Sequence, residues 1–461
     1  MRLARIETKG ILGGRFSRQS KQRSGARFQV KAISASALLA GLIAVTGCGN
    51  TYRPIITAIN PVGPASQPQK YALAISDPGN GLPGIVTIVD FSGDTILITA
   101  NVGVAPYYFI MNAGGTTGYT LNGEGTAPNS NGTMTSFDVS NSLQTRDVIA
   151  TTLLSGAKPN SVFADATSVY ITEPGRNAVA QLTGSPPALK QELAIPAGYS
   201  PVFIAGYSGA PRQYVLDQNT SGGSGLVSAI ETTSSTISGT LPVGKNPVYG
   251  VMTTDAKRAF ILNKDDGTVS VINAQANQLD SVPSPATNPI PVGTAPVWAD
   301  LASTKNELVI ANAGNGTSKG SVSIINIPLC SAAALPGNAN CDANNPIDAA
   351  GFGQVLATVP VGVNPQMVAV LQDGSRAYVV NKGDSTVSVV NLTSNTVTAV
   401  IPVPATIHPN FIAAINGTPT GKIYVTSPES TNMTVIRTDT DSVETTIALQ
   451  GYGVQVRAQL P

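Results

Sequence analysis

Histidine is nearly missing from this 461-residue chain, which carries one imidazole, and charged residues, aromatic rings and cysteines are scarce as well. A single His excludes any site that needs two or more His ligands and leaves general-base chemistry of the Ser-His-Asp kind resting on one position. Only 11% of residues are charged, too few to clothe the outer faces of long helices in Glu, Lys and Arg, so a helical or heptad-repeat protein is disfavoured. The 27 basic residues are nearly balanced by 26 acidic ones, and no nucleic-acid partner is expected at that balance. What is present points elsewhere. A 42% apolar fraction with a net charge of +1 suits a large core rather than disorder. Abundant Thr, Ser, Val, Asn, Gly and Pro favour strands joined by tight turns.

Charge is distributed unevenly. Residues 1–47 hold nine basic residues, from Arg2 to Lys31, against one acid, Glu7. This basic leader runs into AISASALLAGLIAVTG (32–47), too short to span a bilayer comfortably but suited to a signal-peptide core. Val45-Thr46-Gly47-Cys48 resembles the bacterial lipobox, in which the cysteine is lipidated and becomes the new N-terminus. The basic region of 31 residues is longer than usual for such signals. The resemblance implies a lipoprotein signal peptide over 1–47, a lipid anchor on Cys48 and a Pro-rich tether over 48–70. With Gly49 rather than Asp after the cysteine, it also implies transfer to the outer membrane, on its periplasmic or exposed face. Removal of 1–47 would leave 18 basic against 25 acidic residues, a net charge of −7.

Cys330 and Cys341 flank ten residues in CSAAALPGNANC. In an oxidising compartment they could close a disulfide that contributes about 2–3 kcal/mol, the alternative being two free thiols in a flexible insertion.

From Tyr71 onward the chain repeats itself. The turns LPVGKNP (241–247), IPVGTAP (290–296) and VPVGVNP (359–365) are close copies, with looser ones ending at Pro106, Pro159, Pro201 and Pro409. Successive prolines lie 53, 42, 46, 49, 69 and 44 residues apart, and a period in the forties is one four-stranded propeller blade. Within each period, segments such as AFILNKDDGTVSVIN (259–273) and AYVVNKGDSTVSVVN (377–391) read as strand, polar reversal, strand. Tyr378-Val379-Val380-Asn381, Phe260-Ile261-Leu262-Asn263 and Val309-Ile310-Ala311-Asn312, with Tyr424 to Ser427 and Tyr170 to Glu173 more degenerate, resemble the repeat of the YVTN family of β-propellers. The expectation is an all-β propeller domain over 71–461. Eight units are counted, although seven is commoner in that family. The first unit holds three strands, so GVQVRAQ (453–459) is expected to close the ring as its fourth, with PIITAI (54–59) a competing donor. An insertion at about 328–352 lengthens one unit to 69 residues and reads as an accessory loop whose excision leaves stability nearly intact.

Candidate sites are few. His408 precedes Pro409 where other units have Ala105, Lys158, Ser200, Asn246, Ala295 or Asn364, and a position so tolerant reads as a turn. Two residues past each proline stand Tyr108, Ser161, Phe203, Tyr249, Trp298, Met367 and Phe411, which read as inter-blade core, a ligand platform being the other possibility. Asp300 lies two residues past Trp298, on a face where other units place Ile110, Ala205, Val251, Ala369 or Ala413. A carboxylate there needs a Lys, a backbone amide, an ion or channel water, and it is the candidate channel site. The turns Asn263 to Gly267 and Asn381 to Asp384 lack the spaced oxygen ligands of a calcium loop, and no haem-attachment, Walker or GxSxG motif occurs. No metal, cofactor or catalytic residue is therefore expected. The reading is a monomeric, non-catalytic binding or scaffold module at the cell envelope, held to the membrane by its lipid and taking a protein or envelope-polymer ligand. YVTN-type proteins are associated with cell surfaces, which fits this reading. A lactonase-like or other hydrolase using the central channel is the alternative, and a redox role ranks last.

Overall fold

The computed structural model describes residues 70–123, 132–139, 149–330, 346–417 and 420–458. The chain divides into two compact units, 1–66 and 67–461, and all the described residues belong to the second. Cys48, Cys341 and the PIITAI segment lie outside them.

Eight antiparallel sheets, seven of four strands and one of five, follow one another along the chain and form the blades of a β-propeller. Seven blades are continuous in sequence, in order 106–152, 162–194, 199–245, 247–291, 296–363, 365–402 and 411–448, numbered here blades 2 to 8. Blade 1 takes three strands from 71–104 and its innermost strand from Tyr452–Ala458. Tyr71–Asp77 pairs with Pro83–Asp90 on one edge and with the C-terminal strand on the other, Ala74 opposite Val456. Both of its edges are thus filled, which leaves no place there for the tether segment. Closure by the C-terminus removes the open edge that eight sheets in a row would otherwise present.

Core clusters lie between successive blades. One joins Val309, Val322 and Ile324 of blade 6 to Val368, Ala377 and Val379 of blade 7, and a second joins Tyr378 and Val387 of blade 7 to Ile423 and Val425 of blade 8. Strands buried on both faces explain why TVSVIN and TVSVVN read as nearly continuous apolar and small residues.

The repeated motif has a packing reason. The asparagines that end three of the YVTN-like stretches, Asn263, Asn312 and Asn381, are fully buried, as is Asn122 at the corresponding place in blade 2. In blade 7, Asn381 Nδ2 donates to Thr386 Oγ1 at 3.0 Å and to Ser388 Oγ at 2.9 Å on the neighbouring strand. Its Oδ1 accepts from the backbone of Gly362, at the end of the previous blade, at 3.2 Å. That glycine must be bare, because a Cβ there would stand 2.5 Å from Asn381 Cγ, and Gly103, Gly244 and Gly293 abut their own asparagines in the same way. The Val-Gly of one blade and the Asn of the next are two halves of one inter-blade contact. Asn381→Ala is therefore expected to lower stability by roughly 1–3 kcal/mol by leaving buried hydroxyl and amide groups unpaired. Urea midpoints of the two proteins check this, and an unchanged midpoint would count against the contact.

The insertion is only partly accessory. Leu329–Cys330 pairs with Ile347–Asp348, and Asp348 forms an ion pair with Arg258 of blade 5 at 3.0 Å, both side chains being almost fully buried. Phe352 is fully buried against Phe260, with ring centroids 6.2 Å apart. The expectation of a dispensable loop is corrected for this end of the segment, because Phe352 belongs to the core between blades 5 and 6 and Asp348 is ion-paired in a buried place.

Candidate functional site at the channel mouth

Six of the inner strands follow a turn whose last residue before the proline has a left-handed backbone. Ala105, Lys158, Asn246, Ala295, Asn364 and His408 all have φ between 46° and 53°. His408 is thus a turn residue, as its sequence context predicts. Its Nδ1 lies 2.6 Å from Glu429 Oε2 on an exposed surface. Blade 4 instead places Gly198, at φ 86°, ahead of its inner strand.

Just after the proline, the pairing register slips by one residue in blades 2, 4, 5, 6 and 7, between Pro296 and Trp298 for example. Proline has no N–H to give the ladder, and the resulting bulge re-aims the side chain that follows. Phe203 and Tyr249 meet at 4.7 Å between centroids, and Tyr249 stacks on Trp298 at 4.0 Å, so rings from blades 4, 5 and 6 form one continuous wall. The guanidinium of Arg457, from blade 1, lies 5.7 Å from the centre of the Trp298 ring. Blades 1 and 6 are three apart around the ring, so these side chains meet across the channel.

The core expectation for the second residue after each proline therefore holds for some units and is corrected for others. Met367 and Ser161 are buried. Tyr108, Phe203, Tyr249 and Trp298 rest one side on core clusters and turn the other towards a cavity of about 250 Å³. Phe163, Ile110, Met111 and Tyr207 complete much of its lining, and Arg457 is its only charged lining residue among the described residues.

Asp300 sits beside this cavity. Its Oδ1 accepts from the Leu301 amide at 2.9 Å and its Oδ2 from the Val370 amide, on the inner strand of blade 7, at 2.8 Å. Of the partners weighed for it, the backbone amide is the one found. Burial pushes the carboxyl up to about 6, opposed by the two amides and by Arg457. Burial likewise raises the Tyr108 and Tyr249 phenols, so both stay protonated near neutrality. Arg457 was missed by sequence reasoning, which used its strand only for closure. The available signal was that Gln455 and Arg457 alternate with Val454 and Val456, placing two polar side chains on one face of a strand that lines the channel. Among the described residues no group of three His, Cys, Asp or Glu is placed to hold a metal ion.

Buried acids also stand where other blades have the repeat asparagine. Asp217 in blade 4 is pushed up to about 7 by burial, and Glu173 in blade 3 up to about 8 by burial and by Glu192, against Arg176. These groups bind protons more tightly folded than unfolded. Their stabilisation is present below about pH 4 and is lost as pH rises through 6 to 8. Melting temperature is expected to fall between pH 5 and pH 8.5. Asp217→Asn, which restores the repeat residue, should raise stability at pH 8.5 by roughly 1–2 kcal/mol and change little at pH 5. A melting temperature that rises over this interval would contradict the assignment.

No protein-family model matches this chain, and no curated protein does. Similar solved structures include the dihydro-heme d1 dehydrogenase NirN in complex with DHE, at 13% identity and a TM-score of 0.58 over 87% of this chain and 78% of that one. AztD from Citrobacter koseri is similar at 13% identity and a TM-score of 0.55, over 84% of this chain and 97% of that one. The periplasmic gluconolactonase PpgL from Pseudomonas aeruginosa reaches 0.47 at 13% identity, over 72% and 95%. At these identities the first two likenesses establish the β-propeller fold that this chain shares with them.

Proposed function

We propose that this chain is a divergent YVTN-type propeller acting as a non-catalytic binding module at the bacterial cell envelope, anchored through lipid on Cys48 and steadied by a Cys330 to Cys341 disulfide. The observation that carries the binding reading is the channel mouth, where an aromatic wall and one cation surround a cavity while the nearby carboxylate, Asp300, is engaged by two backbone amides. Such a lining selects and holds a ligand, whereas a hydrolytic site needs a base free to reach water. The lactonase-like alternative rests on Asp300 alone. Two measurements test the reading. Cys48→Ala is expected to move the protein from the membrane fraction to the soluble one, and purified protein is expected to leave aldonolactones unhydrolysed above the buffer rate. Lactone hydrolysis abolished by Asp300→Asn, with the melting temperature retained, would replace this reading by the enzymatic one.

A further inference from the structure

The channel mouth also limits what it can hold, an inference that rests on the binding reading above and deepens it. Its lining includes the rings of Phe203, Tyr249 and Trp298, the first two tilted and the last two stacked, together with Tyr108 and Phe163. Stacked rings expose π faces that favour a flat, apolar partner over a hydrated, flexible one. At about 250 Å³ the cavity fits a body of one ring rather than an extended polymer.

Arg457 sets the sign of the ligand. Its Nε donates to the Phe109 carbonyl at 3.3 Å, and its guanidinium carbon lies 5.7 Å from the centre of the Trp298 ring. Among the described residues nothing accepts from its two terminal nitrogens and no carboxylate lies within ion-pair distance of it. The other arginines described on this ring, Arg176, Arg212, Arg258, Arg376 and Arg437, each pair with Asp or Glu. Two neighbouring guanidinium N–H groups presented to a cavity match the two oxygens of a carboxylate. The position is fixed from behind as well. Gln455, two residues earlier on the closing strand, is fully buried and accepts from the Phe109 amide at 2.7 Å, so the strand that carries Arg457 is tied to blade 2 on both sides of Phe109.

We propose that the channel mouth is a binding site for a small aromatic monocarboxylate, its ring laid against Trp298 and Tyr249 and its carboxylate paired with Arg457. Trp298 is the only tryptophan in the chain, so tryptophan emission reports on this site alone. The full-length protein, titrated with phenylacetate, is expected to show a saturable change in emission. The uncharged analogue 2-phenylethanol should bind at least about tenfold more weakly, as should acetate, which lacks the ring. Arg457→Met should weaken phenylacetate by about tenfold or more while bringing it close to 2-phenylethanol, and Arg457→Lys should recover part of the loss. No saturable change up to about 10 mM phenylacetate, weak even for a ligand of this size, overturns the proposal. So does equal affinity for 2-phenylethanol, a comparison made on the unaltered protein that holds even if the Arg457 variants fail to fold. Failure here removes the ligand class only, since membrane release by Cys48→Ala and the lactone assay are read independently of it.

Discussion

Replacing Arg258 with methionine is expected to lower the stability of the propeller by on the order of 3–5 kcal/mol, among the largest effects of any single change in this chain. The Arg258 side chain is 1% exposed and joins parts of the chain that are distant in sequence. Its Nε and Nη2 reach Asp348 Oδ1 at 3.1 and 3.0 Å, it pairs with Asp280, and its Nη1 donates to the Lys257 carbonyl at 3.0 Å. Two carboxylates around one guanidinium leave a surplus of negative charge in a dry place. Burial, reinforced by Asp280 and opposed by Arg258, accordingly raises the Asp348 carboxyl to about 7. Methionine would fill much of the volume and leave both acids without a cation. The triple variant Arg258→Met, Asp280→Asn, Asp348→Asn should recover most of the loss, because the cost comes from stranded charge rather than from lost volume. Excision of 328–352 is expected to cost a comparable amount, since it removes Asp348 from Arg258 and Phe352 from Phe260. Guanidinium unfolding followed by circular dichroism compares all three proteins. Midpoints within error of the parent for Arg258→Met would show that the buried cluster contributes nothing to stability.

Removal of residues 452–461 should have a still broader consequence, because it opens the ring. Blade 1 would keep three strands, and the edge of Tyr71–Asp77 that pairs with Tyr452–Ala458 would face the channel unpaired. Val456 is fully buried in a cluster that also contains Ile415 and Tyr424 of blade 8, so the loss is not confined to blade 1. An unpaired edge beside exposed apolar surface favours association between chains. The expected result is loss of the cooperative melting transition together with large assemblies in size-exclusion chromatography. Val456→Asp, which keeps the strand and buries a charge, should give a milder version, on the order of a few kcal/mol. A truncated chain that remains monomeric and melts cooperatively near the parental temperature would show that the closing strand is dispensable.

Much of this architecture was legible in the residues. The proline spacing counts the blades, and the shortage of strands in the first unit against the surplus at the end predicts the closure that joins Ala74 to Val456. The turn reading of His408 follows from the variety of residues sharing its position, of which all but Ser200 take the same left-handed backbone. Less was legible at the site. Recurrence at the same place in every unit made Trp298 and Tyr249 read as core, and a one-residue bulge after a proline leaves no mark in such a pattern. Arg457 escaped for a different reason. Its neighbours in the site come from blades 2 to 6, and nothing in a local window connects residue 457 with residue 298. The insertion was misjudged on the same ground, since the partner of Asp348 lies 90 residues earlier.

The sequence by itself determined the class of fold and the unit length and counted eight units with seven as the alternative, because these follow from local periodicity and turn chemistry repeated along the chain; the structure decided for eight. Only the tertiary structure decided which side chains share the channel mouth and which part of the insertion belongs to the core. Those outcomes depend on closing the ring, which brings the last strand beside the first and sets Arg457 opposite Trp298. A chain with one histidine and little charge thus brings together, among its described residues, a few aromatic rings and the guanidinium of Arg457 from positions more than 150 residues apart.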